Sequence, residues 1–106
     1  MSRLLRSSEF EAVYRGGTRR SSAQFLLFYR ATGQPVTRFG ISIKKALGGA
    51  VVRNRMRRRI REILRRNSLE IPSGWDLVIH PRRSVAQAAF APLEAELLRL
   101  VHTAAR

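Results

Sequence analysis

Apolar positions divide the chain into segments of two periods. Phe10, Val13 and Tyr14 recur at i, i+3, i+4, the spacing of one helical face. Ser8-x-x-Glu11 reads as a capping box at the start of this helix and Gly16 as its stop. Gly17 to Gln24 is polar and basic, either a loop or a short edge strand. Phe25-Leu-Leu-Phe-Tyr29 is a dense apolar run of strand length, with Phe25, Leu27 and Tyr29 facing one way and Leu26 and Phe28 the other. Arg38 to Ile43 alternates, placing Phe39, Ile41 and Ile43 on one side, and a turn or loop over Ala31 to Val36 separates the two runs. They are expected to pair as an antiparallel hairpin.

Helical spacing returns with Val52, Met56, Ile60, Ile63 and Leu64. Asn67 to Gly74 is a connector, and Trp75 to His80 a third strand, ended by Pro81, with Trp75, Leu77 and Ile79 on one face. Ser84-x-x-Gln87 starts a further helical turn, and Pro92 suits the first position of a last helix carrying Leu93, Leu97, Leu100 and Val101. The order α, β-hairpin, α, β, α describes a small α+β sandwich with helices packed on a sheet. A chain of 106 residues, 44% apolar, has material for a single domain with one modest core.

Charge changes the picture at the central helix. Between Arg53 and Arg66 stand eight arginines (Arg53, Arg55, Arg57, Arg58, Arg59, Arg61, Arg65, Arg66) and one acid, Glu62. At helical pitch Asn54, Arg58, Arg61 and Arg65 point away from the apolar stripe. Arg53 and Arg57 flank it on one side, and Arg55, Arg59 and Arg66 on the other. Like charges four apart cost roughly 0.2–0.5 kcal/mol per pair, and solvated faces normally mix both signs. Such a surface expects a polyanion. Glu62 reads as an intrahelical charge partner for the surrounding arginines. The formal charge of +14 and a pI near 12.0 favour nucleic acid over a small neutral substrate. Upstream, Lys44, Lys45, Gly48 and Gly49 precede a helix start without a capping side chain; this is either a phosphate site or a flexible lead-in.

Candidate chemistry is sparse. The absence of cysteine excludes disulfides, thiolate metal sites and cysteine nucleophiles. His80 and His102 are far apart and read as a strand-end and a helix-surface residue, and no pair of the seven acids has a context for acid–base work or metal ligation. No stretch approaches a membrane span, and Met1 to Phe10 lacks an apolar signal region, so a cytoplasmic location is expected. Phe28 alternates away from Phe25 and Tyr29: either it lies on an open, base-stacking face of the sheet, or the first helix covers it. Spacing alone makes Phe10 and Tyr14 core residues.

The run Gly48-x-Ala50-Val51-x-Arg53-Asn54-x-x-Arg57-Arg58-x-x-Arg61-Glu62 resembles the signature of the bacterial ribonuclease P protein component. Ser8-x-Phe10-x-x-Val13-Tyr14 followed by Gly17, then Gln24-Phe25-Leu26-Leu27, Gly40-Ile41-Ser42 and Trp75-Asp76-Leu77-Val78-Ile79, agree with it in order and spacing. The resemblance covers roughly residues 4 to 100. It implies an αβββαβα order on a mostly antiparallel sheet, a strand at Thr18 to Ser22, and a left-handed β-α-β crossover. Residues 1–106 would form a single RNA-binding domain.

The implied function is the protein subunit of ribonuclease P, an endoribonuclease that removes the 5′ leader of precursor tRNA. Its active site and Mg²⁺ ions belong mainly to a catalytic RNA subunit, and one protein pairs with one RNA; no membrane or small-molecule substrate is implied. Phe10, Tyr14 and Phe28, with Lys44 and Lys45, match a leader cleft between the first helix, the sheet and the basic helix. That moves Phe10 and Tyr14 out of the core and leaves Phe25 in it. Arg53, Asn54, Arg55, Arg57, Arg58, Arg61 and Arg65 of the basic helix match the RNA-binding face, with Arg53 and Arg57 near the cleft phosphates. Two departures from the family pattern stand out: Ala46 and Gly49 occupy positions that are commonly basic or polar, and Tyr14 replaces a frequent Phe. The competing readings are a structural RNA-binding protein and a reader of duplex DNA.

Overall fold

The computed structural model describes residues 2–3, by their backbone, and 6–105. Met1, Leu4, Leu5 and Arg106, which the N-terminal reading and the family resemblance touch, lie outside the described residues. In chain order the elements are β1 (Ser2–Arg3), α1 (Ser7–Gly16), β2 (Thr18–Ser21), β3 (Phe25–Ala31), β4 (Arg38–Ile41), α2 (Ala50–Arg66), β5 (Trp75–Pro81) and α3 (Phe90–Ala104). Short 3-10 turns at Lys45–Leu47 and Arg83–Ala86 precede α2 and α3. From α1 onward this is the αβββαβα order of an α+β sandwich.

The sheet runs β1-β4-β5-β3-β2. β5 pairs antiparallel with β3 and parallel with β4, and β2 pairs antiparallel with β3. The expected hairpin between Phe25–Tyr29 and Arg38–Ile43 therefore does not form, because β5 lies between the two strands. Alternation records which face a residue takes, not which strand stands beside it. In β5 the residues Asp76, Leu77, Val78 and Ile79 are all buried, the mark of a strand covered on both faces and flanked on both edges. The stretch left open as loop or strand is the edge strand β2, exposed throughout.

Two faces of the sheet carry two apolar clusters. Phe25 and Leu27 of β3 and Leu77 and Ile79 of β5 pack with Met56, Ile60, Ile63 and Leu64 of α2 and Leu93, Leu97, Leu100 and Val101 of α3. This is the main core, and the helical spacing of both helices places its residues there. On the opposite face Val13 of α1 and Val78 are fully buried, with Phe10 and Phe28 against them. Val52, expected in the α2 stripe, is 37% exposed and stands against Gly48 instead.

Three boundaries differ from expectation. α1 starts two residues before the expected Ser8-x-x-Glu11 box: the Arg6 N–H donates to Glu9 Oε1 at 2.9 Å, while Glu11 pairs with Arg15 at 3.4 Å. Glu9 prevails because its carboxylate is also anchored to Arg38, 2.5 Å away on β4. β4 ends at Ile41, although Ile43 still packs on the core. Pro92 is the third residue of α3, not the first, a place still within the turn whose N–H groups have no helical partner.

Candidate nucleic-acid interface

Register on the α1 side of the sheet sorts its side chains into three rows. The first is Arg38–Asp76–Arg30, the second Gly40–Val78–Phe28, and the third begins with His80–Leu26, with Ser42 following β4. In the first row Asp76 is 1% exposed, and both of its oxygens accept from Arg38, whose Nη1 also donates to Glu9 of α1. Arg30 adds a longer contact to Asp76 at 3.8 Å. This row fastens the helix to the sheet.

The second row receives the helix. A Cβ at Gly40 would stand 2.4 Å from the ring of Phe10, so the missing side chain is what lets α1 settle on β4. Phe10 is half-buried, Val13 fully buried and Tyr14 37% exposed. Spacing made both aromatics core, and the resemblance moved both to a cleft; in the fold they divide, Phe10 beneath the helix and Tyr14 at its open edge. Tyr14 meets Phe28 edge-on with ring centroids 4.9 Å apart. Phe25, on the opposite face, is completely buried.

The third row is only partly covered, its residues Leu26, Ser42 and His80 being half-buried. There the Tyr14 hydroxyl lies 3.0 Å from His80 Nε2, and the His80 ring is 5.3 Å from that of Phe28. Burial pushes the Tyr14 hydroxyl above its ordinary pKa, partly offset by a hydrogen bond with Ser42. Burial, followed by the charge of Lys44, pushes His80 below its usual value and favours the neutral imidazole. His80 thus belongs to the cleft, which the sequence reading did not show. Its spacing from Phe28 across a strand pair could not be seen while β5 was not known to be the neighbour of β3.

The basic helix lies elsewhere. Its apolar residues pack on the sheet face opposite α1, so α2 is not a wall of the cleft, contrary to the expected arrangement; the chain connects the two through Ser42 to Gly49. Lys44, at the start of this link, lines a pocket with His80, and Lys45 begins the 3-10 turn. Gly49 caps α2 without a side-chain bond, and Arg53 Nε donates to Gly48 O at 3.1 Å.

Along α2, Asn54, Arg55, Arg58 and Arg65 are exposed, and Arg53, Arg57 and Arg61 half-buried. Arg57 donates to Asn54 Oδ1 at 2.9 Å, and Arg65 grips Glu62 through two hydrogen bonds, the intrahelical role expected for that acid. Among the described residues no ion pair joins Arg53, Arg55, Arg57 or Arg58 to a carboxylate. Arg59 differs, donating to the carbonyls of Val85 and Ala88 and so bracing the turn before α3. Burial, then the neighbouring charge of Arg55, lowers its pKa. Arg66 contacts Glu94 at 3.5 Å and lies over the Phe90 ring.

Among the described residues no group of three or more His, Asp or Glu is placed to hold a metal ion, and no helix is long and apolar enough to cross a membrane. The ribonuclease P family model matches residues 1–105. The chain is 40% identical over 103 residues to the ribonuclease P protein component of Brevibacillus brevis, covering 96% of this chain and 82% of that protein. It is also 40% identical over 102 residues to that of Acidothermus cellulolyticus, covering 93% and 84%. Among solved structures it is similar to the RNase P protein from Thermotoga maritima, with a TM-score of 0.88, 31% identity and coverage of 95% and 96%. The RNase P protein of Staphylococcus aureus gives a TM-score of 0.85 at 25% identity, covering 96% and 94%.

Proposed function

The chain belongs to the ribonuclease P protein family, and from that premise we propose that it binds the catalytic RNA subunit through α2 and holds the 5′ leader of precursor tRNA in the cleft beneath α1. The observation that carries the leader site is the open aromatic edge, where Tyr14 and Phe28 meet at 4.9 Å beside a partly covered strip of sheet. Single-stranded bases stack on such a surface whatever their sequence. Phe10, packed on Gly40, supports that edge from below, and Lys44, which lines a pocket with His80, and Lys45, which follows it, offer cations for the strand's phosphates.

The RNA subunit is the partner for α2. Arg53, Asn54, Arg55, Arg57, Arg58, Arg61 and Arg65 supply cations and hydrogen-bond donors along its outward sides. Since α2 and the cleft lie on different faces, one RNA can sit on the helix while the leader crosses the other face. Arginine on every outward side offers no single base-reading edge for a DNA groove.

Mg²⁺ fits the RNA subunit better than this chain. Asp76 and Glu9 are bound to Arg38, Glu62 to Arg65 and Glu96 to Ser22 and Gln24, so these carboxylates have cationic or N–H and O–H partners already. The protein's part is to lower the charge of the assembly and to orient the leader in the cytoplasm, as one protein per RNA. The test is reconstitution: added to a bacterial ribonuclease P RNA and precursor tRNA at low Mg²⁺, the protein should raise cleavage and precursor affinity. No gain in either would favour a purely structural RNA-binding protein.

A further inference from the structure

Between α2 and β4, on the face of the sheet opposite α1, lies a groove of about 470 Å³. Phe39 of β4, in register with Leu77 of β5, packs half-buried against the main core there. Leu64 of α2, 1% exposed, lines the groove with it, and Arg58, Arg61, Glu62 and Arg65 form the helix side. Arginines alone would suit any phosphate, but here an aromatic ring and the one acid of α2 stand among them. Arg65, exposed in the last turn of the helix, donates Nε at 3.1 Å and Nη2 at 2.5 Å to the two oxygens of Glu62. This hydrogen bonding lowers the pKa of the acid and keeps it a carboxylate.

Size, floor and rim together constrain the occupant. The volume lies in the range of small-ligand sites, about 300–1,000 Å³, which fits one nucleotide and not a helix of RNA. Phe39 and Leu64 offer an apolar surface for a base, and bases splayed from loops and bulges stack on aromatic rings and guanidinium planes. The surrounding arginines favour a base carried by a polyanion over an aromatic side chain of a protein. A carboxylate repels phosphate and attracts donors, and an ionised one accepts two parallel hydrogen bonds. Among the four bases only guanine sets two donors side by side on its Watson–Crick edge, N1–H and N2–H. Adenine, cytosine and uracil each place at least one lone pair against a Glu62 oxygen, which selects against them.

We propose that this groove takes one unpaired guanine of the RNA subunit, stacked on Phe39 and read by Glu62. The base displaces Arg65 from the carboxylate: N1–H and N2–H replace Nε–H and Nη2–H, and the released guanidinium turns to the nucleotide's phosphate. The exchange leaves no donor without an acceptor. The proposal rests on the reading of α2 as the face for the RNA subunit. It adds Phe39 and Glu62 to the binding residues and gives α2 a sequence preference that charge alone does not supply.

The test applies kethoxal, which reacts at N1 and N2 of unpaired guanines, to a bacterial ribonuclease P RNA with and without the full-length protein. Hydroxyl-radical cleavage of the RNA backbone is followed alongside. Wild-type protein should shield a guanine beside a protected stretch of backbone. Glu62→Ala should keep the backbone protected, expose that guanine again and weaken binding by about tenfold. Phe39→Ala should expose the same guanine, and because Phe39 also packs on the core, Glu62→Ala serves as the independent variant. Changing the shielded guanine to adenine should weaken wild-type binding by a similar factor. Glu62→Gln, whose amide pairs one donor and one acceptor with adenine, should recover part of that loss. A guanine that stays shielded with Glu62→Ala, or no shielded guanine beside protected backbone, would overturn the proposal and leave α2 as the RNA face. So would a Glu62→Gln protein that binds the adenine RNA no better than wild type does. If the backbone is not protected at all, the reading of α2 falls and this site with it.

Discussion

Arg38 donates Nε at 2.9 Å and Nη2 at 2.8 Å to the two oxygens of Asp76, a bidentate pair whose acid is almost fully buried. The third arm of the same guanidinium reaches Glu9, so one side chain joins β4, β5 and α1. Hydrogen bonding to Asp76 outweighs burial and raises the pKa of Arg38. Removing Arg38 leaves the buried Asp76 with only the longer contact to Arg30 at 3.8 Å, at a cost of up to about 3–5 kcal/mol. Arg38→Met should therefore lower stability by that order in urea denaturation, and Arg38→Met/Asp76→Leu should recover part of the loss. A change within the range of exposed ion pairs, about 0–1 kcal/mol, would show that the pair does not hold the helix.

Gly40→Ala tests the seat of α1. Since the new methyl would overlap the Phe10 ring, the helix or the ring must move, at about 1–3 kcal/mol. Pairing it with Phe10→Leu should restore some stability in the same denaturation assay. Full stability of Gly40→Ala alone would mean that α1 sits loosely.

Phe28→Ala separates cleft from core. Loss of one stacked base, about 1–3 kcal/mol, should weaken precursor binding by the holoenzyme by roughly 5- to 150-fold, with mature tRNA little changed. Equal losses for both would make Phe28 only a support for Val13 and Val78.

The arginines of α2 should divide under salt titration. Arg58→Ala removes an exposed cation without a carboxylate partner and should flatten the slope of log K against log salt by about 0.7–0.9. Arg59→Ala should leave that slope unchanged and lower stability instead, because its guanidinium serves the Val85 and Ala88 carbonyls. Reversed results would exchange the roles of the two side chains.

Acid should weaken the fold through His80. Its native pKa lies below the usual 6.5, by burial first and Lys44 second, so the unfolded chain takes up the proton more readily. Stability then falls as pH drops from about 6.5 through the native pKa, and is unaffected by this group above that window. His80→Gln should remove this part of the pH dependence in denaturation between pH 5 and 8. Glu96 acts lower: burial raises its pKa, but hydrogen bonds from Ser22 and Gln24 more than reverse that. Its contribution is present above about 4.5 and lost as pH falls through the lowered native value.

Much of the fold can be read from local pattern. Met56, Ile60, Ile63 and Leu64 are buried because a 3.6-residue period leaves them no other common face, and Phe25 and Phe28 divide because a strand alternates. What pattern does not carry is adjacency. Phe25–Tyr29 and Arg38–Ile41 each satisfy a hairpin, and only the doubly buried run Leu77–Ile79 signals that another strand belongs between them. The same gap hid His80 from the cleft and left α2 on the wrong side of it. Arg59 was indistinguishable from its neighbours, since charge alone does not tell a solvent-facing guanidinium from one that caps carbonyls.

The placement of β5 also has a consequence for biogenesis. The strand that joins β3 to β4 is made from residues 75–81, so a ribosome must have passed about three quarters of this chain before the two halves of the sheet can be linked. Such distant pairing slows folding. Until then the nascent chain exposes its most cationic segment to the anionic surroundings of translation, and a chain halted before residue 75 would have arginines but no central strand to complete the sheet they are mounted on.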